Sequence, residues 1–533
     1  MRMVWYHLPK GENVSLIDPP PGELPRLLAE NRRRLRGAHF SLAGAPFAQV
    51  LARAREDAAA RAAEYCDLMG VAATPLAAAH SSPPDTFVAC GHQPGFLHPG
   101  VWIKNHLVGR LAGQCNACGL NVVIDTDTPG NLDFRVPRRL GREMKVEHFR
   151  CLNARADLPL EEQQLDDPHR VAELPEKVRP LLEFESARPL AARYLGHLAE
   201  SARGKPSISH LLTFARRKTE EDEGLHNLEL PFSAACGFDG FLLLVLEVLR
   251  RADEFASTYN RRLAEYRRIF KVRGKANPLP DLAIGGARIE LPLWISRAGR
   301  PRHSLHIERR NREIILLLEG EHVWTLSAGQ LENAAAGIEA LESLAAAGIR
   351  LRPKALVTTI YIRLLLCDLF VHGIGGGNYD IITDEIIRDF FGFEPPVYAV
   401  ATANVSMPFE RFNVSGGSVS AIRHDANRLQ MNPANFADAL LPGDHELPWL
   451  LSERHRLLEE LHAALDDSAK RALFVEMKKI DAHLRAKVSV FADEKMHELA
   501  AAQKAVGYNA IAAGRDYPFC IYPEEVLRQV FAL

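Results

Sequence analysis

Between Val88 and Lys104 the chain reads Val-Ala-Cys-Gly-His-Gln-Pro-Gly-Phe-Leu-His-Pro-Gly-Val-Trp-Ile-Lys, an apolar run, a turn rich in glycine and histidine, and then a helical pattern. Gly91, Gly95 and Gly100 let the backbone come close to a ligand, and free amides at a helix start hold anions such as phosphate. His92, Gln93, His98 and Lys104 add side-chain donors beside them. Donors fixed around one point stabilise negative charge as it develops in phosphoryl or nucleotidyl transfer, which makes His92, His98 and Lys104 candidate catalytic groups. The turn has neither the Gly-x-Gly-x-x-Gly nor the Gly-Lys-Ser/Thr spacing, so its pattern names no cofactor.

Two further clusters could complete a site. Asp125-Thr-Asp127-Thr-Pro-Gly closes the apolar run 121–124. At the carboxyl end of a strand, Asp125 and Asp127 could hold a substrate amine or a magnesium ion; the plain alternative is an Asx turn that ends the strand. Much later, Val371-His-Gly-Ile-Gly-Gly-Gly-Asn-Tyr-Asp380 offers the amides of Gly375 and Gly376, with His372, Asn378 and Asp380 as polar members. A glycine-rich turn ahead of a helix is a bundle of backbone donors, although Asp380 or Thr383 could equally serve as a helix cap. Cys115 and Cys118 form one Cys-x-x-Cys pair without a second pair at zinc-finger spacing, and are expected to be structural thiols; no metal ligands are assigned.

The elements that must carry these residues follow from periodicity. The apolar run 87–89 predicts a buried strand, with Ser82-Pro-Pro-Asp85 as the breaker before it. Trp102, Ile103, Leu107, Val108 and Leu111 predict a helix face, and 121–124 predicts the next strand. A strand, helix and parallel strand joined in this way bind ligands at the carboxyl ends of the strands. A long helix is predicted over 240–269, where Arg261, Arg262, Arg267 and Arg268 could reach phosphate but are more commonly exposed. Antiparallel strands are predicted over 287–295 and 305–324. The charge run Arg216-Arg-Lys-Thr-Glu-Glu-Asp-Glu223 predicts a solvated face.

Composition excludes several classes. The 533 residues exceed what one core supports, so more than one domain is expected. A net charge of −2 argues against a nucleic-acid binder driven by bulk positive charge. No segment supplies the roughly 20 apolar residues of a membrane helix. The first residues contain no apolar export region, and eight scattered cysteines form no disulfide framework, so a cytoplasmic location is expected.

The stretch Gly91-His-Gln-Pro-Gly-Phe-Leu-His-Pro-Gly100 resembles the Gly-Gln-Gln-x-Gly-Leu-Phe-x-Gly-Pro turn of the bacillithiol-biosynthesis cysteine-adding enzymes, a family of cysteine ligases. Tyr259-Asn-Arg-Arg-Leu-Ala-Glu-Tyr266, followed by Asn277-Pro-Leu-Pro-Asp-Leu282, is similar to that family's Tyr-Asn-x-x-Leu-x-x-Tyr helix and Pro-Phe-Pro segment. Leu351-Arg-Pro-Lys-Ala355 and the glycine turn ending at Asp380 are similar to its Arg-Pro segment and its Tyr-Val-Gly-Gly-Pro-Gly-Glu-Ile turn. Two departures fall where substrate would sit: His92 replaces the family's first Gln, and Asp125-Thr-Asp127 replaces its Glu-Asp-His-Asp segment.

The resemblance implies an α/β fold with a Rossmann-like parallel sheet of the nucleotidyltransferase type, inserted segments, and a C-terminal antiparallel helical hairpin (a coiled coil) used for dimerisation. On this reading 1–85 is a helical preamble, 86–140 the first half of the core, 141–285 a mostly helical insertion, 286–330 a β-rich segment and 331–445 the second half of the core. Residues 446–507 form the hairpin, and the aromatic tail 508–533 docks back on the core. The implied function is an ATP- or nucleotide-dependent ligase, with magnesium possible, that joins a cysteine-like carboxylate to an amine; Gly91, Gln93, Gly95, Gly100, His372, Gly375, Gly376, Asn378 and Asp380 would bind the cofactor. The alternative is a non-catalytic, dimeric nucleotide- or metabolite-binding protein on the same scaffold. The expected partners are small-molecule substrates and a second copy of the chain, with no nucleic acid and no membrane.

Overall fold

The computed structural model describes residues 4–71, 85–274 and 276–532. The predicted breaker at Ser82-Pro83-Pro84 lies outside them. The chain divides into two compact units: Met1–Val136, Glu147–Met407 and Arg515–Leu533 form the first, and Pro137–Val146 with Pro408–Gly514 form the second.

The first unit is built on a six-stranded, mostly parallel sheet. Its spatial order is Val14–Asp18, Ala399–Asn404, Leu369–His372, Phe87–His92, Cys118–Val123 and Leu228–Pro231, and only the Val14–Asp18 edge is antiparallel. The predicted βαβ unit is present: Phe87–His92 pairs in parallel with Cys118–Val123, and the helix Pro99–Cys115 connects them. Side chains alternate across the sheet as a period of two requires. Val88, Cys90, Leu369 and Val371 pack with Leu107, Val108 and Leu111 on one face, while Phe87, Ala89, Leu120, Val122 and Phe370 belong to the larger core on the other.

Strand order places the site. From Phe87–His92 the chain winds outward through Cys118–Val123 to Leu228–Pro231, then returns to lay Leu369–His372 and Ala399–Asn404 on the opposite side. The winding therefore reverses between Phe87–His92 and Leu369–His372, and such a reversal opens a crevice at the carboxyl ends of the two strands.

Four core strands fall outside the strand predictions, Leu369–His372 at the start of the second glycine turn among them. Val14–Asp18 lies in the stretch read as a helical preamble, Leu228–Pro231 in the stretch read as a helical insertion, and Ala399–Asn404 in the second half of the core. The charge run is also not a solvated face. Arg216, Arg217 and Glu220 are buried, and Arg216 bridges Glu220 and Glu229 at 2.7 and 2.6 Å. Helix-period arginines and glutamates look alike in sequence whether they face water or pair inside, since burial is set by what packs on them.

A second, antiparallel sheet in the same unit runs Glu321–Leu326, Glu313–Leu318, His303–Arg310, Arg288–Arg297 and Ile349–Pro353, with Ile284–Gly285 paired to Arg288–Arg297. The antiparallel strands expected over 287–295 and 305–324 lie in this sheet, which Ile349–Pro353 joins from the stretch read as the second half of the core. Cys118, expected to be a structural thiol, begins a core strand and is buried, and Cys115 lies at the end of the preceding helix. Arg261 and Arg262 pair with Asp389, and Arg267 with Asp281.

The second unit is mostly helical, with a short strand pair at Pro137–Val146. Leu447–Ala463 and Asp467–Lys487 pack as the predicted hairpin, with Leu447, Leu450, Leu484 and Val488 buried and Leu451 and Ile480 against them. The chain breaks at Val488, and Ser489–Ala512 packs instead on Gly416–Met431 through Val419, Leu499 and Ala502. Among the described residues no helix is long and apolar enough to cross a membrane.

Candidate functional site

At the reversal point lies a cavity of about 470 Å³. Both glycine turns line it: Gly91, His92, His98, Gly100 and Lys104 from one side, and His372, Gly373, Ile374, Gly375 and Gly376 from the other. Asp127 also lines it, at the end of the strand beyond.

Each lining residue has a local reason to be there. His98 caps the helix Pro99–Cys115 by accepting the Gly100 amide at Nδ1, 3.1 Å away. That bond needs an unprotonated Nδ1, and burial, with the Arg515 charge nearby, lowers the ring to a pKa of about 4. A Cβ on Gly100 would stand 2.5 Å from the carbonyl oxygen of Ala403, so this glycine admits a close helix-to-strand contact. His92 keeps an exposed ring, placed by a 2.7 Å hydrogen bond between its Nδ1 and the Gln93 carbonyl.

Lys104 is the unusual group. It is 3% exposed; its Nζ donates to the Gly91 carbonyl at 2.9 Å, and among the described residues no carboxylate pairs with it. Burial pushes its pKa down. A buried ammonium without a counter-ion is costly, and a ligand anion in the cavity would remove that cost.

The opposite wall begins the helix Ile374–Phe391, and among the described residues no side chain caps its start. Its first-turn amides are therefore open, and the helix dipole adds partial positive charge there. A Cβ on Gly376 would meet His372 Nδ1 at 2.5 Å and one on Gly377 would meet Val400 at 2.5 Å, whereas Gly375 faces open space. The glycine-rich turn expected ahead of the helix is thus its first turn, with glycines where it lies on the ring of His372 and on the adjacent strand.

Tyr379 of the second glycine turn lines the cavity as well, and Trp294, Arg302 and Arg515, to which no motif pointed, complete it. Arg302 pairs with Asp127, donates to the Thr126 carbonyl at 3.0 Å and lies 4.5 Å over the Trp294 ring. Lys354 lies against the same ring, held by Glu290 and Ser304 at 2.8 and 2.7 Å. Arg515 comes from the aromatic tail, which docks where Phe519 stacks on Trp102 with ring centroids 4.0 Å apart. A lone arginine in a turn gives no motif; for Arg515 the only sequence signal was the aromatic run that follows it.

Five expected site residues lie elsewhere. Gln93 and Gly95 line a separate cavity of about 20 Å³, and Gln93 donates to the Thr128 carbonyl. Asp125 is buried and accepts from the amide and hydroxyl of Ser233 at 2.8 and 2.5 Å; burial raises its pKa to about 6 despite those bonds. Asn378 is paired on both sides with the Tyr6 backbone, at 2.7 and 3.0 Å. Asp380 is fully buried behind His372. The two turns converge through His92 and Gly375 rather than through Gln93 and Asn378.

Chemically the cavity is cationic. Lys104, Arg302, Arg515 and a helix start face it, with Asp127 as the one acidic side chain of its wall among the described residues. Such a lining suits a phosphate or carboxylate. Comparison with protein-family models and with curated proteins gives no match.

Proposed function

We propose that the chain is a nucleotide-dependent ligase that activates a cysteine-like carboxylate and joins it to an amine, on a Rossmann-like sheet of the nucleotidyltransferase type. The observation that carries this reading is Lys104, a buried cation that donates to the Gly91 carbonyl, aimed at a cavity where two glycine turns meet. The likeness of three sequence stretches to the bacillithiol cysteine-adding family supports the choice of a ligase.

In this scheme Lys104, Arg515 and the open amides at 374–376 hold the phosphates of ATP or another nucleotide, with His92 and His98 stabilising charge as it develops. Asp127 and Arg302 address the zwitterionic amino acid. Magnesium, if used, arrives on the phosphates, since Asp125 is already held by Ser233 and Asp127 by Arg302. Gln93, Gly95 and Asn378 shape the two turns. Homodimerisation through the helical hairpin as a coiled coil, in the cytoplasm, belongs to the same proposal; Trp449, Phe474 and Val475 on that hairpin are 61%, 45% and 53% exposed.

The pairing of Asp127 with Arg302 and of Asp125 with Ser233 favours a second reading, a binding protein without turnover. A screen of nucleotides with amino acids and amines decides between them. Release of phosphate or pyrophosphate that needs all three components supports the ligase; nucleotide-induced stabilisation without release supports the binder. The absence of both ends the proposal.

A further inference from the structure

His372 closes the strand Leu369–His372, is 5% exposed and lines the cavity. Its Nε2 lies 2.9 Å from Oδ2 of Asp380, one helical segment further along. That carboxylate also accepts from Nη1 of Arg363, itself buried. Burial alone would raise the Asp380 pKa, but the charges of Arg363 and His372 hold it well below the usual carboxylate range. An ionised carboxylate only accepts hydrogen bonds, so the proton between the two groups belongs to His372 Nε2.

The other ring nitrogen, Nδ1, then carries a lone pair. It lies against Gly376, where a Cβ would come within 2.5 Å, in the part of the first helical turn that lines the cavity. Phe370 and Tyr398 meet the ring edge-on, with centroids 4.5 and 5.0 Å away, and fix its plane. The charged groups that act on it are Asp380 on the following helix, Arg363 on the turn Ile362–Leu366 and Lys104 on the helix Pro99–Cys115. Burial, helped by the two cations, outweighs Asp380 and keeps the ring neutral, the form able to take a proton.

We infer that His372, oriented by Asp380, is the general base of this cavity and takes the proton of the acceptor amine. The inference rests on the ligase reading. A protonated amine has no lone pair to attack with; His372 Nδ1 removes one proton, the nitrogen forms its bond to the activated carboxyl carbon, and the carbon–oxygen bond to the phosphate or nucleotide breaks. The leaving group departs with that bond's electron pair and takes up the second proton, which the nitrogen sheds as the amide forms, and the imidazolium is stabilised by Asp380. Asp380 and Arg363 touch no substrate and are positioning residues.

The test uses the full chain with ¹⁵N-labelled histidine, the His372→Asn variant identifying the signal. The expected neutral form carries its proton on Nε2, and in Asp380→Asn the protonation midpoint of His372 falls by about one pH unit or more. With ATP, amino acid and amine, His372→Asn should lower kcat about 100-fold or more with a smaller change in the KM for ATP. A neutral ring protonated on Nδ1, or turnover unchanged in His372→Asn, overturns the base while leaving the ligase standing. A wild-type chain with the expected tautomer and no turnover overturns the ligase, and the base role falls with it. Should Asp380→Asn fail to fold, the tautomer of the wild type and the kinetics of His372→Asn still decide.

Discussion

Lys104 Nζ donates to the carbonyl of Gly91, 2.9 Å away, so the first cation of the helix is tied back to the end of the strand that precedes it. Strand, turn and helix thereby form one closed loop around a buried charge. An arriving anion would find the donor already in place, with little ordering left to do.

Lys104→Met should therefore separate binding from folding. Removing a desolvated charge offsets the lost bond to Gly91, so the variant should fold with a melting temperature near that of the wild type. Its nucleotide or phosphate affinity should fall by roughly 10- to 100-fold, as expected for a bond to a charged group worth about 1.5–3 kcal/mol. Calorimetric titration of both proteins checks this; equal affinities would remove Lys104 from the site.

Adjacent glycines should behave differently. Gly376→Ala places a methyl 2.5 Å from His372 Nδ1, while Gly375→Ala meets nothing within 4 Å. The first should cost about 1–3 kcal/mol of stability, as overpacking does. The second should leave stability close to unchanged and act only on ligand affinity, because its methyl enters the cavity. Urea unfolding and ligand titration of the two variants distinguish these outcomes.

Stability should fall on the acid side. Burial lowers His106 to a pKa of about 4, and His98 likewise to about 4. Both folded-state values lie below the value of about 6.5 for an unfolded histidine. Between those limits the unfolded chain binds protons that the folded chain refuses, so folding is favoured most above about pH 6.5 and weakens as the pH falls toward 4. Each such histidine contributes at most about 1.4 kcal/mol per pH unit. His106 sits between Trp102 and Phe531, with ring centroids 4.3 and 4.7 Å away, and its Nε2 is buried without a partner among the described residues. His106→Phe should therefore fold and should flatten this acid slope; an unchanged slope by urea titration at several pH values would refute the assignment.

The tail links stability to the cavity. Phe519 is buried on Trp102, and its amide donates to the Leu97 carbonyl at 2.7 Å. Phe519→Ala should cost about 3–5 kcal/mol, and with it the placement of Arg515. Arg515→Ala should reduce anion affinity with little change in melting temperature. Equal stability losses in the two variants would mean that Arg515 is a structural contact.

The sequence by itself determined the βαβ unit, the antiparallel segment and the helical hairpin, because each is encoded by local periodicity that survives without its partners. It also marked both glycine turns, since close backbone approaches leave glycine behind. Gly100 and Gly376 proved to serve packing of the helix on strand and ring, a distinction that the letter Gly does not carry.

What only the tertiary structure decided was which side chains share a space. Leu228–Pro231 is too short to stand out from its helical surroundings, and Arg216 and Glu220 read as solvated until the strand and helices close over them. Arg302, Arg515 and Trp294 reach the cavity from segments far apart along the chain. Gln93 and Asn378, prominent in their motifs, turn instead to backbone partners. Periodicity fixes which face of an element is buried, but the meeting of two turns depends on strand order, which is settled by long-range packing and leaves no local trace.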